Sequence, residues 1–491
     1  MEIYSIRPIL AILVSAIAAA LILFTNKHKN LRESWTLIAA TLKFLIVLSL
    51  FPLVTEGKVV VFKFFELLPG VTCSLRVDAL GLYFALVSSG LWIVTSIFSI
   101  GYMRGLQEHE QTRYFASFAL SLSATIGIAF AGDLLTMFAF YELLTIATYP
   151  LVAHKETQEA IVAGRKYLVY CLGAASVFLF CIAWTYSQTG TLTFQPGGFL
   201  ENAADPKTLG LLFILFIYGA GVKSALFPVH AWLPTAMVAP TPVSALLHAV
   251  AVVKAGVFGI LRIVGFVFGP DLIRDIGMGN VLAFLAGFTI LFASMMALAQ
   301  DNLKRRLAYS TISQLAYIVL GSALLTPSGY VGSMLHLSNH AMMKITLFFC
   351  AGVIYVKTHK ENISEMRGIG YKLPWTMIAF TVGAIGLSGF PAFSGFISKW
   401  YLCKGAIEAK LWGALAIYLG GALLNAAYLV PVVVTAFSRN GQNFKPDESS
   451  WTLTKPPVIT AILTILFGLI PLLIGWQLEL ANMAARGIFG G

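Results

Sequence analysis

Apolar runs of about 20 residues recur along the chain, separated by short polar or turn-rich stretches. Each is long enough to cross a hydrocarbon core as a helix. The runs predict about fourteen spans, at 8–25, 34–54, 78–103, 113–131, 133–153, 159–187, 208–237, 242–268, 280–300, 306–325, 329–357, 373–407, 411–438 and 457–478. The seventh and twelfth are too long and too broken to be plain helices. YGAGVKSALFPVHAWLPTA carries Pro228 and Pro234, and GAIGLSGFPAFSGFISKWYL carries Gly386, Gly389, Pro391 and Gly395. Broken backbone is tolerated at membrane depth only where protein or water satisfies the freed groups. If spans 4–8 and 9–13 are two repeats, the broken spans occupy the same place in each, a pattern that points to an ion path. An odd number of helices per repeat makes such repeats inverted.

The predicted fold is an all-α polytopic membrane protein. It has an N-terminal three-helix segment (1–105), a first five-helix repeat (106–270), a second (271–440) and a C-terminal helix (441–491). Composition agrees. Of 491 residues, 58% are hydrophobic and 11% charged, against ~25% charged in soluble domains, and mean hydropathy is +0.83. This excludes a soluble enzyme, a disordered chain and a nucleic-acid binder. The five cysteines form no CxxC, and no iron–sulfur, haem or zinc pattern is present, so no metal or cofactor is expected. No P-loop or Rossmann glycine pattern occurs in a strand–helix context.

The net charge is +11. The first apolar run is followed, not preceded, by its basic cluster (Lys27, Lys29, Arg32), unlike a signal peptide. It reads as a retained helix with the N-terminus outside a cell inner (cytoplasmic) membrane. In that orientation sixteen Lys and Arg fall in cytoplasmic loops and ten, Arg262 among them, on the other side, the expected bias.

Seven basic residues fall within spans or near their ends. Lys43, Arg165 and Lys166 are placed to snorkel; Lys223, Lys254, Lys344 and Lys399 sit deeper. Glu142, in FAFYELLTIATYP, is a mid-span carboxylate with no charge near it in sequence. A buried carboxylate must be paired or protonated, so it reads as a proton-relay group or as half of a static ion pair. A desolvated lysine releases its proton more readily and a nearby carboxylate holds it, so a lysine between these influences can be switched. His336, His340 and Lys344 are spaced by four and share one helix face over about 12 Å. They form a stack suited to a proton wire or, alternatively, histidines bonded to backbone or water. His248 precedes Lys254 by six residues, offset by roughly 120°. His230 follows the first break and is a candidate gate. Asp78 and Asp133 open spans and read as caps; Asp301 reads as part of a solvated loop with Lys304, Arg305 and Arg306.

Six segments carry a family resemblance: DALGLYFALVSSG, TMFAFYELLTIATYPLV, KSALFPVHAWLPTAMVAPTPVSALLHAVAVVKAGVFGILR, NLKRRLAYSTISQLAYI, SNHAMMKITLFFCAG and GLSGFPAFSGFISKWYL. Over roughly residues 70–440 the chain resembles the antiporter-like proton-channel subunits shared by Mrp cation/proton antiporters, respiratory complex I and membrane-bound energy-converting hydrogenases. The resemblance implies fourteen transmembrane helices, two inverted repeats with a half-channel each, and a polar axis parallel to the membrane. It implies that Glu142 pairs with Lys223, that Lys254 links to His340 and Lys344, and that Lys399 passes the proton onward. Lys399 stands where the M-type component of bacterial complex I has glutamate, and the chain lacks room for the long lateral helix of the L type. The implied function is proton translocation as a D-like component of an Mrp-type Na+/H+ antiporter. The alternative is a pumping module of a complex I-like or ferredoxin-linked hydrogenase-type redox complex, with no redox centre in this chain. The implied partners are other membrane subunits, including homologous antiporter-like ones, together with protons, Na+ and the lipid bilayer.

Overall fold

The structure is a computed structural model that describes residues 1–249, 251–438, 445–448 and 450–490; the side chains of 68, 247–249 and 471–473 lie outside that description. The chain runs β1 (Glu2–Tyr4), α1 (Arg7–Phe24), α2 (Lys29–Leu48), α3 (Phe51–Thr55), β2 (Val59–Leu68), β3 (Val71–Val77), α4 (Ala79–Gly105), α5 (Gln111–Phe130), α6 (Leu134–Val152) and α7 (Gln158–Thr189). It continues with α8 (Pro206–Lys223), α9 (Trp232–Thr235), α10 (Thr241–Ala249), α11 (Val252–Arg262), α12 (Pro270–Asp275), α13 (Met278–Leu298), α14 (Leu303–Ala323) and α15 (Pro327–Thr358). The last elements are α16 (Ile369–Lys372), α17 (Pro374–Ser388), α18 (Ser394–Glu408), α19 (Trp412–Phe437), α20 (Trp451–Leu469) and α21 (Pro471–Phe489). Among the described residues eleven helical spans are long and apolar enough to cross a membrane. The protein is a multi-pass membrane protein.

Polar residues at the span edges start the helices. Asp78 accepts from the Gly81 amide at 2.8 Å and Asp133 from that of Thr136 at 2.7 Å, the N-cap role expected of both. Thr157 and Thr326 cap α7 and α15, the latter with Pro327 in its first turn.

Three expectations are corrected. The C-terminal segment is not one helix, because the span predicted at 457–478 straddles the break at Ile470 between α20 and α21. The fold is not all-α, because β1, β2 and β3 form a three-stranded sheet in that order. β1 runs parallel to β2, and β2 pairs antiparallel with β3, Val60 opposite Val77. A β-branched run and a Pro69–Gly70 turn favour this hairpin, and a length rule for spans overlooks it. The eighth span is also not one helix. It divides into α10 and α11, and α11 continues as a π-helix over Ile263–Phe268.

The order of helix lengths recurs along the chain. α5, α6 and α7 have 20, 19 and 32 residues, and α13, α14 and α15 have 21, 21 and 32. Each trio is followed by an interrupted span: α8 and α9 in the first case, α17 and α18 in the second. α15 is the hub. Every residue from Ser328 to Ile354 is buried, with α4, α10, α14, α17, α18, α20 and α21 packed around it. A helix apolar on all sides belongs in such a place, so the polar residues it carries are held away from lipid.

Candidate functional site

The first cluster forms where α8 ends. Lys223 is the last residue of α8 and its side chain is 3% exposed. Its ammonium donates to Thr145 Oγ1 at 2.7 Å and lies 3.5 Å from Glu142 Oε1. It also sits 5.0 Å from the centre of the Tyr141 ring. All three partners come from α6. Glu142 is 18% exposed, and its Oε2 has no hydrogen-bond partner among the described residues. The backbone freed by the break is satisfied by protein: the Trp232 indole donates to the Val222 carbonyl at 2.8 Å, and Thr289 Oγ1 accepts from the Phe227 amide at 3.2 Å.

The second cluster is inside the bundle. Lys254 Nζ and His340 Nδ1 are 2.6 Å apart, both groups fully buried. His340 stacks on His336 with ring centres 5.9 Å apart and planes 17° apart. His336 reaches Ser398 Oγ at 2.9 Å through Nδ1 and Gln314 Oε1 at 3.2 Å through Nε2. It also stacks on Tyr317 at 5.6 Å. Lys399, next to Ser398 in sequence, sits 5.3 Å from the centre of that same tyrosine ring. α6 and α11 connect the two clusters, the Tyr141 hydroxyl donating to the Ala255 carbonyl.

Each break carries one lysine. Lys399 donates to the Leu387 carbonyl at 2.6 Å, in the last turn of α17. Lys223 ends α8. The Lys399 ammonium therefore faces the C-terminal end of a half-helix, where the macrodipole favours a cation, whereas the Lys223 ammonium turns to α6. Lys254 is in the first turn of α11, at the end of opposite sign.

Lys344 is held by a set of hydroxyl and amide side chains. It donates to Ser310 Oγ at 2.7 Å, and the Ser310 hydroxyl is also hydrogen-bonded to the Tyr428 hydroxyl at 2.9 Å. Tyr428 in turn donates to Asn425 Oδ1, and the Asn425 amide reaches the Leu387 carbonyl at 3.4 Å. Lys344 thus connects to the Leu387 carbonyl that Lys399 also meets, and His336 stacks on His340. His230 is half-buried, stacks on Phe227 at 5.7 Å and meets Phe292 edge-on at 5.1 Å. Among the described residues its contacts do not join it to either cluster. The side chain of His248 lies outside the described residues. Ser310, Gln314, Tyr317, Asn425 and Tyr428 are uncharged and distant in sequence from the charged residues, and Thr145 and Ser398 are uncharged neighbours of Glu142 and Lys399, so only folding shows them to be part of the network.

Two basic residues are not where their sequence position placed them. Arg262 is no loop residue; it is 1% exposed and holds Asp78 with two hydrogen bonds, one at 2.8 Å. Lys43 does not snorkel; it is fully buried, donates to the Leu122 carbonyl at 2.9 Å and lies over Trp92. Outside the spans, burial pushes the His154 imidazole down to about 4.

Comparison with known proteins places this geometry. Residues 131–425 match the family model described as NADH:quinone oxidoreductase/Mrp antiporter, TM. The chain is 34% identical over 366 residues to the N-type component of the NADH-quinone oxidoreductase of Desulforudis audaxviator, covering 72% of this chain and 71% of that one. It is 29% identical to the A-type component of the Na(+)/H(+) antiporter of Alkalihalophilus pseudofirmus over 94% of its own length, but spans only 60% of that protein. The solved membrane-bound sulfane sulfur reductase, an archaeal respiratory membrane complex, contains a chain of the same fold. That chain has a TM-score of 0.87 and 27% identity, with 99% of this chain and 98% of that one covered. On the family match and the likeness to the quinone oxidoreductase component together, the chain belongs to the NADH:quinone oxidoreductase/Mrp antiporter transmembrane family.

Proposed function

We propose that the chain is a proton-translocating, antiporter-like membrane component of a multisubunit complex, moving protons along Glu142, Lys223, Lys254, His340, His336 and Lys399. The observation that carries this reading is the run of buried titratable groups in contact, Lys254 to His340 at 2.6 Å and His336 to Ser398 at 2.9 Å, ending beside Lys399. Lys344 and its hydroxyl branch supply a second connection to Lys399. The two five-helix runs act as inverted half-channels, and the N-terminus faces outside.

The Glu142–Lys223 contact is the switch. At ~4 Å an ion pair is worth about 4 kcal/mol at an effective dielectric of 20. While Glu142 is in contact it stabilises the ammonium. When the contact opens, the ammonium is left with less compensation and its proton is driven toward Lys254. Hydrated cavities bridge the gaps between side chains. A sodium site wants clustered oxygen ligands, whereas the buried axis is built from nitrogen bases, so this chain carries protons and any Na+ crosses elsewhere. Glu142→Ala and Lys223→Ala, each in fully assembled complexes, are expected to lower proton transport about tenfold or more, since ~1.4 kcal/mol already shifts an equilibrium that far. Undiminished transport in intact complexes overturns the reading.

The parent complex is first read as an Mrp-type Na+/H+ antiporter, with this chain in the D-like place. The second reading, a module of a redox-driven pump, is favoured by the higher identity to the quinone oxidoreductase component, 34% against 29% for the antiporter component. The near-complete overlap with the sulfur reductase chain at 27% identity points the same way.

A further inference from the structure

Two turns at one end of the bundle bring together three side chains that the buried axis does not use. Glu108 and His109 lie between α4 and α5, and His154 lies between α6 and α7. One ligand atom from each, a carboxylate oxygen and two imidazole nitrogens, falls within 4.8 Å of the others. His109 Nδ1 is 3.9 Å from Glu108 Oε2, and the two imidazoles stack with centres 5.0 Å apart. His154 is fully buried, and neither ring nitrogen makes a hydrogen bond of good geometry among the described residues, although the His109 backbone lies close to the ring. An imidazole carries a donor and an acceptor, or two donors when charged, and burying both nitrogens unpaired is costly.

We propose that Glu108, His109 and His154 form a binding site for a transition-metal ion of the zinc class, with a fourth position open to water. Two imidazoles and one carboxylate suit Zn2+, which takes N and O ligands at about 2.0–2.2 Å in tetrahedral geometry. Mg2+ and Ca2+ want six or more oxygens. Tetrahedral bonds of that length put ligand atoms about 3.4 Å apart. The set closes from 4.8 Å by rotation of His109, which is 45% exposed, and of Glu108, while buried His154 stays in place. Arg113 pairs with Glu156 and donates to the His154 carbonyl at 3.2 Å, which holds the loop in shape, while Lys304 lies within electrostatic reach of Glu108 and Lys155. A bound ion would staple the α4–α5 turn to the end of α6, the helix that carries Glu142.

The test is titration of the full-length chain, purified without a histidine tag and stripped of metal, with ZnCl2 and then CoCl2. One ion per chain is expected, with Co2+ showing the visible bands of a four-coordinate N/O site and a large excess of Mg2+ failing to displace it. His109→Ala, at an exposed position that leaves folding intact, and His154→Ala are each expected to weaken binding by about tenfold or more. Equal affinity in the His109→Ala variant, or no stoichiometric ion in the unaltered chain, overturns the proposal. Proton transport is not read in this test, so its outcome is separate from that of the transport experiment.

Discussion

At the scale of single residues, the Arg262–Asp78 pair shows how a charge is kept inside this molecule. Arg262 is 1% exposed and its guanidinium also lies over Phe266, 4.5 Å from the ring centre. Asp78 caps α4 while holding Arg262, so one carboxylate serves a helix start and a cation. Removing one member of a buried pair strands the other, at about 3–5 kcal/mol, whereas replacing both is far milder. Asp78→Asn and Arg262→Met are therefore each expected to lower unfolding stability in detergent by that order. The double variant should recover most of the loss. Additive losses in a double-mutant cycle would show that the two residues act independently.

At the scale of elements, the breaks were legible and their surroundings were not. Proline and glycine at 228–234 and 386–395 announce the interruptions. What lets a broken helix stay at depth is contact from elsewhere in the chain, such as Trp232 on the Val222 carbonyl and Lys399 on that of Leu387. Gly256 is the tightest case. A Cβ there would stand 2.3 Å from the Ser224 amide nitrogen and 2.5 Å from the Lys223 carbonyl carbon. Backbone cannot yield as a side chain can, so α11 must move away from the break that positions Lys223. Gly256→Ala is expected to cost about 1–3 kcal/mol and to impair proton transport. Unaltered melting and transport would show that the close approach is not required. The α10–α11 division carries no such sequence mark, since HAVAVVKAG reads as one helical run, and there tertiary packing overrides the local pattern.

At the scale of the whole molecule, large apolar side chains remain on the outside, among them Phe284 at 77% and Leu423 at 75% exposed. Lipid and neighbouring subunits are the surfaces they can meet. A complex extracted in mild detergent is expected to contain at least one further homologous antiporter-like chain, as judged by mass spectrometry of its components. Small Mrp C-, E-, F- and G-like proteins with it support the antiporter reading; nickel-hydrogenase or iron–sulfur proteins support the redox pump. A homogeneous monomer with full transport would overturn both.

Membrane class, the presence of many spans and the burial of Lys223, Lys254, Lys344 and Lys399 follow from the sequence alone. A hydrocarbon solvent constrains length and polarity so strongly that composition and run length nearly decide them. Asp78 and Asp133 as helix caps were equally readable, because a cap is a local bond. The route among the charges is different. That His336 stacks on His340 and reaches Ser398, that Arg262 lies inside the bundle, and that Glu108, His109 and His154 converge depends on contacts between distant segments. Hydrogen bonds reach about 3 Å, and only the packing of the helices determines which side chains come that close.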